Sequence, residues 1–454
     1  MYTIHFLTSY SLVAIAFACL CAVVVGWALW ASGGGSARVR PAVLTSACIV
    51  PFALFVFAVV TLSVNVPYWD DYDAILSYLA QPFPQRMSHL FAFHNEHRIV
   101  FVRVVMEAVY GLCGTFDFRA MIYVGNALFL LFVGLVLHRL KRNAVEPRWW
   151  CIAVAWSLLS ILMFENMFWA LTSVQNNAVL LFAWLALLCL ERGRRHVGWF
   201  FAALTFAVLC TYTSGSGMFI WPCMAGLFAK TGFYDGERPS PLKLVVLGLV
   251  AVAAVAYYLH GFQGQGQGAL EKAFAHPFRV FTYAALFCGA SMNFPSLAFP
   301  LGMCVFVFAG FLLFSLKRVR DNVTLFFLCF LLLSAMSAAL FRCGDTLTQA
   351  LSFRYRVIAV SIIVCCGMLV YEQWAKPFSR YARPVCAAVT AFCIFMNLSA
   401  YLLSYPQLVA RRDRHLAGLH AWPADCSGLV YPDTARASAV LQKSVESGAY
   451  RPAK

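Results

Sequence analysis

Charge is what this 454-residue chain has least of: 12% of its residues are charged, against 62% hydrophobic and 16% aromatic. So little polar surface cannot cover a water-soluble globule, which leaves a chain solvated mostly by lipid. Acidic residues are scarcer still, 19 against 34 Lys and Arg. In a soluble protein the resulting +15 would suggest nucleic acid. Here the basic residues stand in short clusters between apolar runs, as membrane orientation requires, so the charge reads as topology and no nucleic acid partner is expected. There is no metal-binding Cys-x-x-Cys pair and no disulfide framework. Most of the 17 cysteines, among them Cys48, Cys189, Cys210, Cys365 and Cys393, fall inside apolar runs, where Cys acts as a small hydrophobe. No Lys or Arg precedes Arg38, so the first apolar run lacks the basic start of a cleaved signal and reads as a transmembrane helix. No internal repeat is seen.

What is present is a series of runs long enough to span a bilayer, about 20 mostly apolar residues each. Twelve begin near Leu12, Val43, Ala120, Trp150, Gln175, Val197, Met218, Leu244, Leu297, Val323, Val357 and Val385. The expected fold is all-α, a polytopic transmembrane bundle over residues 1–405 followed by a short extracytoplasmic tail, 406–454. The runs around Gln175, Val197 and Met218 are the shortest, and Pro222 interrupts the last of them. Six connections placed inside carry 18 Lys and Arg, whereas the five between them carry nine, so the alternation of the loops is self-consistent and puts both termini outside. The tail, with Arg411, Arg412, Arg414, Trp422 and Tyr431, reads either as a small helix on the membrane surface or as a solvated extension.

The first outside loop, 65–119, is the longest and the most acidic, holding Asp70, Asp71, Asp73, Glu96, Glu107 and Asp117. Its opening, Trp69-Asp70-Asp71-Tyr72-Asp73, sets carboxylates at headgroup depth between aromatic residues favoured at that level. Adjacent carboxylates split in pKa, so one can serve as an ionised base while the other hydrogen-bonds or holds a cation. The same residues also suit the N-terminus of a helix over Ala74 to Leu79, and the two roles are compatible. Farther on, Leu76 to His94 and Ile99 to Leu112 read as interfacial helices, with Arg103 and Glu107 spaced for an i,i+4 ion pair. Between them lies the polar knot His94-Asn95-Glu96-His97-Arg98. Two His three apart fall short of a metal site without a third ligand, and such a knot more often binds a polar substrate or holds its loop together.

Glu165, Asn166, Trp169 and Gln175 form a second outside group whose carboxylate, amides and indole suit a sugar's hydroxyls and ring face. Thr211 to Gly217 is a Ser/Gly-rich turn, read as a tight hairpin in preference to a ligand-facing nest. Gln263 to Gly268 is read as a flexible connection, with Lys272, His276 and Arg279 beyond it as further basic groups. The last outside loop ends in Phe353-Arg354-Tyr355-Arg356. Two planar guanidinium forks at the membrane surface, on the face that opposes basic residues, suit a phosphate clamp better than headgroup snorkelling.

An acidic pair in the first outside loop, interfacial helices after it and a late Arg-bearing loop resemble the polytopic GT-C class of glycosyltransferases, including bacterial O-antigen glucosyltransferases. The resemblance implies a bacterial inner-membrane enzyme with a periplasmic active face. It implies a polyprenyl-phosphate sugar donor and, as acceptor, a lipid-linked glycan or a protein. Asp70 or Asp71 would act as base or hold a divalent cation, and Arg354, Tyr355 and Arg356 would meet the donor phosphate. No cofactor is required with certainty. An O-antigen ligase or polymerase, which keeps its catalytic groups in a late loop, is the nearest competing enzyme. A lipid or secondary transporter, which places ionisable groups at mid-membrane, is the competing class.

Overall fold

The computed structural model describes residues 39–143, 147–234, 236, 240–262, 269–291, 294–344, 346–374 and 379–452. The apolar run near Leu12 and the Gln263 to Gly268 connection lie outside the described residues. The other eleven runs are helical, as their composition dictates, because a backbone in lipid must satisfy its own hydrogen bonds. We number the principal helices α1 (Val39–Leu62), α2 (Val100–Cys113), α3 (Phe118–Asn143), α4 (Pro147–Leu158), α5 (Ala170–Gly193), α6 (Val197–Thr211) and α7 (Ile220–Phe233). They continue as α8 (Pro241–Leu259), α9 (Pro277–Gly289), α10 (Pro295–Phe314), α11 (Asn322–Arg342), α12 (Arg356–Trp374), α13 (Ser379–Ala421) and α14 (Thr434–Glu446). Among the described residues eight helices are long and apolar enough to cross a membrane, whereas α6 is shorter, like the apolar part of α1 at Ala47–Leu62. The chain is thus an all-α membrane protein.

Helix α5 is the centre of the bundle, packed against α3, α6, α7 and α11 with Trp184 fully buried. By contrast α8 and α10 lie at the periphery and expose Leu249, Val252 and Val307, a distribution that suits lipid as solvent. Helices α9 and α10 pair through small residues, for a Cβ on Gly289 would fall 1.7 Å from the Ala298 carbonyl oxygen and one on Gly302 would fall 1.9 Å from that of Ala285. Only glycine allows backbones this close.

The loops that charge placed inside gather at one end of the bundle. There Arg139 at the end of α3 bridges Glu191 of α5 at 2.5 Å and Asp321, the N-cap of α11, at 2.8 Å. Lys243 donates to the Gly193 carbonyl at 2.7 Å. The loops placed outside gather at the other end.

The first outside loop differs from its expected form. Tyr72–Leu76 is a π-turn running into short helices Ser77–Leu79 and Phe83–Ser88, and the polar knot is a hairpin of β1 (Phe93–His94) and β2 (His97–Arg98). Asn95, with φ +51°, takes its first corner; Asn tolerates the left-handed region that two-residue hairpins need. Only α2 is long. The Arg103–Glu107 pair does not form. Glu107 takes Arg86 at 2.8 Å instead, and Arg103 turns to the carbonyls of His89, Leu90 and Ala92, which follow the end of a short helix.

The tail also departs from expectation, since α13 continues through Pro406 to Ala421 and residues 422–452 fold back over the first loop. There α14 buries Ala437, Leu441 and Ser444, spaced to share one face, and Tyr450 is fully buried. Apolar burial of one face holds the segment against the protein.

Candidate functional site

A cleft of about 170 Å³ opens at the end of the bundle where the outside loops meet. Helix α11 forms its back wall with Ser334, Ser337, Ala338, Phe341 and Arg342. Those positions repeat at three and four residues, one face of a helix, and the eight steps from Ser334 to Arg342 run about 12 Å. Small hydroxylated residues line the deep part and the cation stands at the helix end.

The start of α5 supplies Trp169, Thr172, Gln175 and Asn176 to a second wall. Its position is set by Asp71. The N-cap Trp169 makes no side-chain cap bond, so Asp71 Oδ1 accepts the Leu171 amide at 3.1 Å while Oδ2 accepts the Tyr68 amide at 3.1 Å. Asp71 is 1% exposed, and burial pushes its carboxyl well above the usual carboxylate range, partly offset by the Leu171 and Tyr68 amides. It caps a helix, though α5 and not the segment after Tyr72. Asp70, one residue earlier, lines the cleft.

The hairpin contributes His94, Asn95, Glu96 and His97. His97 Nδ1 accepts the Gly215 amide at 3.3 Å, which places the ring proton on Nε2. A Cβ on Gly215 would lie 2.9 Å from Nδ1, so this approach needs glycine. Burial, then Arg342, His94 and Arg354, lower the His97 pKa to about 4 and keep the ring neutral. His94 is lowered by burial too, but Asp70 opposes the shift. Asp70 thus acts on His94, and Arg342 and Arg354 act on His97. Among the described residues no cluster of three or more His, Cys, Asp or Glu is arranged to hold a metal ion.

Arg354 and Tyr355 form the last wall, with Tyr355 packed at a tilt against Phe287 of α9 at 4.8 Å between ring centroids. The Arg354 backbone is held by the second outside group. Glu165 accepts its amide at 2.8 Å, and its carbonyl accepts Asn166 at 2.9 Å and Asn176 at 3.1 Å. Glu165 and Asn166 therefore act on the loop rather than in the cleft. The Arg354 side chain lies over Tyr355, and its buried Nε has no hydrogen-bond partner among the described residues.

Of the residues expected from sequence, Asp70, His94, Glu96, His97, Trp169, Gln175, Arg354 and Tyr355 come together here. The rest support them. Arg98 is buried and ties the hairpin to α8, donating to the Tyr258 carbonyl at 2.8 Å and to those of Phe91 and His260. Asp73 binds Tyr431 and Arg436 of the C-terminal segment, and Arg356 packs over Phe353 outside the cleft. Arg342 takes the second cationic position expected of Arg356. A helical phase explains the exchange: from Arg354 to Arg356 the chain turns by about 200°, which carries Arg356 to the far face. Arg279 donates to the Cys343 carbonyl and does not line the cleft.

Arg342, Asn176, Ser214, Ser216, Ser334 and Ser337 were missed. Ser334, Ala338 and Arg342, spaced four apart on one helical face, were a readable signal. Ser214 and Ser216 lie in the turn read as a hairpin; it does join α6 to α7, and it also faces the cleft. No protein family, curated protein or solved structure matches the chain.

Proposed function

We propose that the protein is a membrane glycosyltransferase that moves a sugar from a polyprenyl-phosphate donor to a lipid-linked glycan or another extracytoplasmic acceptor. The observation that carries this reading is that one cleft is lined by the Asp70 carboxylate, by Arg342 and Arg354, and by hydroxyl and amide groups. A transfer needs those parts together. The acceptor hydroxyl gives its proton to the Asp70 carboxylate as its oxygen attacks the anomeric carbon. The bond from that carbon to the phosphate oxygen breaks, and the departing phosphate carries its charge to the two guanidinium groups. Attack opposite the leaving group inverts the anomeric centre. Gln175, Asn176, Ser334 and Ser337 are placed to meet sugar hydroxyls, and Trp169 offers a ring face.

Asp70 is the base in this scheme because Asp71 is buried and engaged by two backbone amides. With basic residues concentrated at the opposite end, the cleft faces the periplasm of a bacterial inner membrane. There a donor's lipid tail can stay in the bilayer while its headgroup enters. Membranes containing the protein, given radiolabelled polyprenyl-phosphate sugars and lipid-linked glycan, should transfer label, and Asp70→Asn should abolish it. Label that crosses the membrane without forming a glycosidic bond would instead establish a transporter.

A further inference from the structure

The C-terminal segment touches the first loop on both sides of Asp70. Upstream, Tyr450 Oη donates to the Asn65 carbonyl at 2.7 Å and the Trp69 amide donates to the Val430 carbonyl at 2.9 Å. Downstream, Asp73 accepts the Tyr431 hydroxyl at 2.5 Å and the Arg436 guanidinium at 2.7 Å, and Ser444 Oγ donates to the Leu76 carbonyl at 3.4 Å. At the far end of the loop the Phe116 amide donates to the Ala449 carbonyl at 2.8 Å.

Trp69 makes this attachment consequential. Its φ is +49°, a left-handed conformation that a bulky residue keeps only where its surroundings dictate it. The indole is 44% exposed, so its own packing is a weak restraint. The restraint is the backbone bond to Val430 on one flank and the Asp73 pair on the other. Asp71 anchors the same turn to α5. The residue between these anchors is Asp70.

We infer that residues 422–452 are a positioning element that holds the Trp69–Asp73 turn and so aims the Asp70 carboxylate into the cleft. The activity part of this inference rests on the transferase reading; the structural part does not. Positioning errors of about 1 Å cost on the order of 10²-fold in rate while leaving binding groups in place. Arg342 and Arg354 are on other walls, so releasing the segment should lower kcat and spare the donor KM.

Two variants test this in the full-length protein. Leu441→Glu puts a charge into the buried face of α14 and undocks it, and Tyr431→Phe with Arg436→Ala removes only the bonds to Asp73, which keeps the test open if the first variant does not fold. Hydrogen exchange of backbone amides in residues 66–76 should quicken about tenfold or more in each, with exchange in α5 unchanged. Turnover of a polyprenyl-phosphate sugar should fall about tenfold or more with KM within about twofold, and Tyr431→Phe with Arg436→Lys should recover most of it. Unchanged exchange at 66–76, quickened exchange with unchanged kcat, or a loss confined to KM would each overturn the inference. If the unmodified protein transfers no sugar, the transferase reading falls, and exchange at 66–76 alone decides whether the segment holds the turn.

Discussion

Asp71 Oδ1 accepts the amide of Leu171 at 3.1 Å, so a residue of the first outside loop caps the central helix of the bundle across 100 positions of sequence. This bond separates two carboxylates that are neighbours in the chain. Asp70→Asn should reduce transfer by about 10²–10⁴-fold, the usual loss of a general base, with folding intact. Asp71→Asn can present only one oxygen, so one buried amide loses its acceptor and stability should drop by about 1–3 kcal/mol, with turnover of the surviving protein falling far less than in Asp70→Asn. Thermal melts and kinetics on both purified variants check the contrast. Equal activity loss in the two would return Asp71 to the chemistry.

The arginines divide in the same way. Lys keeps the charge of Arg but not the planar fork that binds phosphate at two points. Arg354→Lys and Arg342→Lys should raise the donor KM by about tenfold or more, a loss of about 1.4 kcal/mol in binding. Arg356→Lys should leave KM unchanged, because that side chain packs over Phe353. Initial rates at varied donor concentration decide it.

Glu107 provides a stability test that needs no substrate. Its pair with Arg86 is largely shielded, with side-chain exposures of 19% and 10%, so losing either partner should cost about 3 kcal/mol. A double-mutant cycle of Arg86→Ala with Glu107→Ala should give a coupling of about 1 kcal/mol or more, and one of Arg103→Ala with Glu107→Ala less than about 0.5 kcal/mol. Coupling to Arg103 in its place would restore the i,i+4 pair that spacing suggests.

His97 gives the fold a pH dependence. Its pKa is lowered from the ordinary 6.5 to about 4, first by burial and then by Arg342, His94 and Arg354. A folded-state pKa below the unfolded value means that the unfolded chain binds the proton more readily. The neutral ring's contribution is therefore complete above pH 6.5 and is lost as pH falls toward 4. Between pH 7.5 and 4.5 the melting temperature of the unmodified protein should fall more steeply than that of His97→Gln, which keeps an acceptor for the Gly215 amide but does not titrate.

Orientation can be read with single cysteines at Ser88, Arg195 and Gln442 in a cysteine-free background. All three sites are exposed. An impermeant thiol reagent added to intact cells whose outer membrane has been made permeable should label Ser88→Cys and Gln442→Cys but not Arg195→Cys. The reverse pattern would turn the protein over in the membrane.

Composition alone was enough for the class of fold. Lipid cannot solvate a bare backbone, so long apolar runs must be helices, and the basic clusters between them sort the loops into two sets that the structure collects at opposite ends. That sorting also brought most of the site into view, because loops sharing a face are the ones that can meet. What sequence could not decide was which side chain in a short polar stretch faces inward. Asp70 from Asp71 and Arg354 from Arg356 differ by only one or two positions, and the choice turns on backbone rotation. Tertiary contacts set that rotation. The Leu171 amide selects Asp71, the cradle of Glu165, Asn166 and Asn176 turns Arg354 toward the cleft, and the Val430 carbonyl keeps Trp69 left-handed. Each partner lies far away along the chain, and only folding brings it within reach of a hydrogen bond.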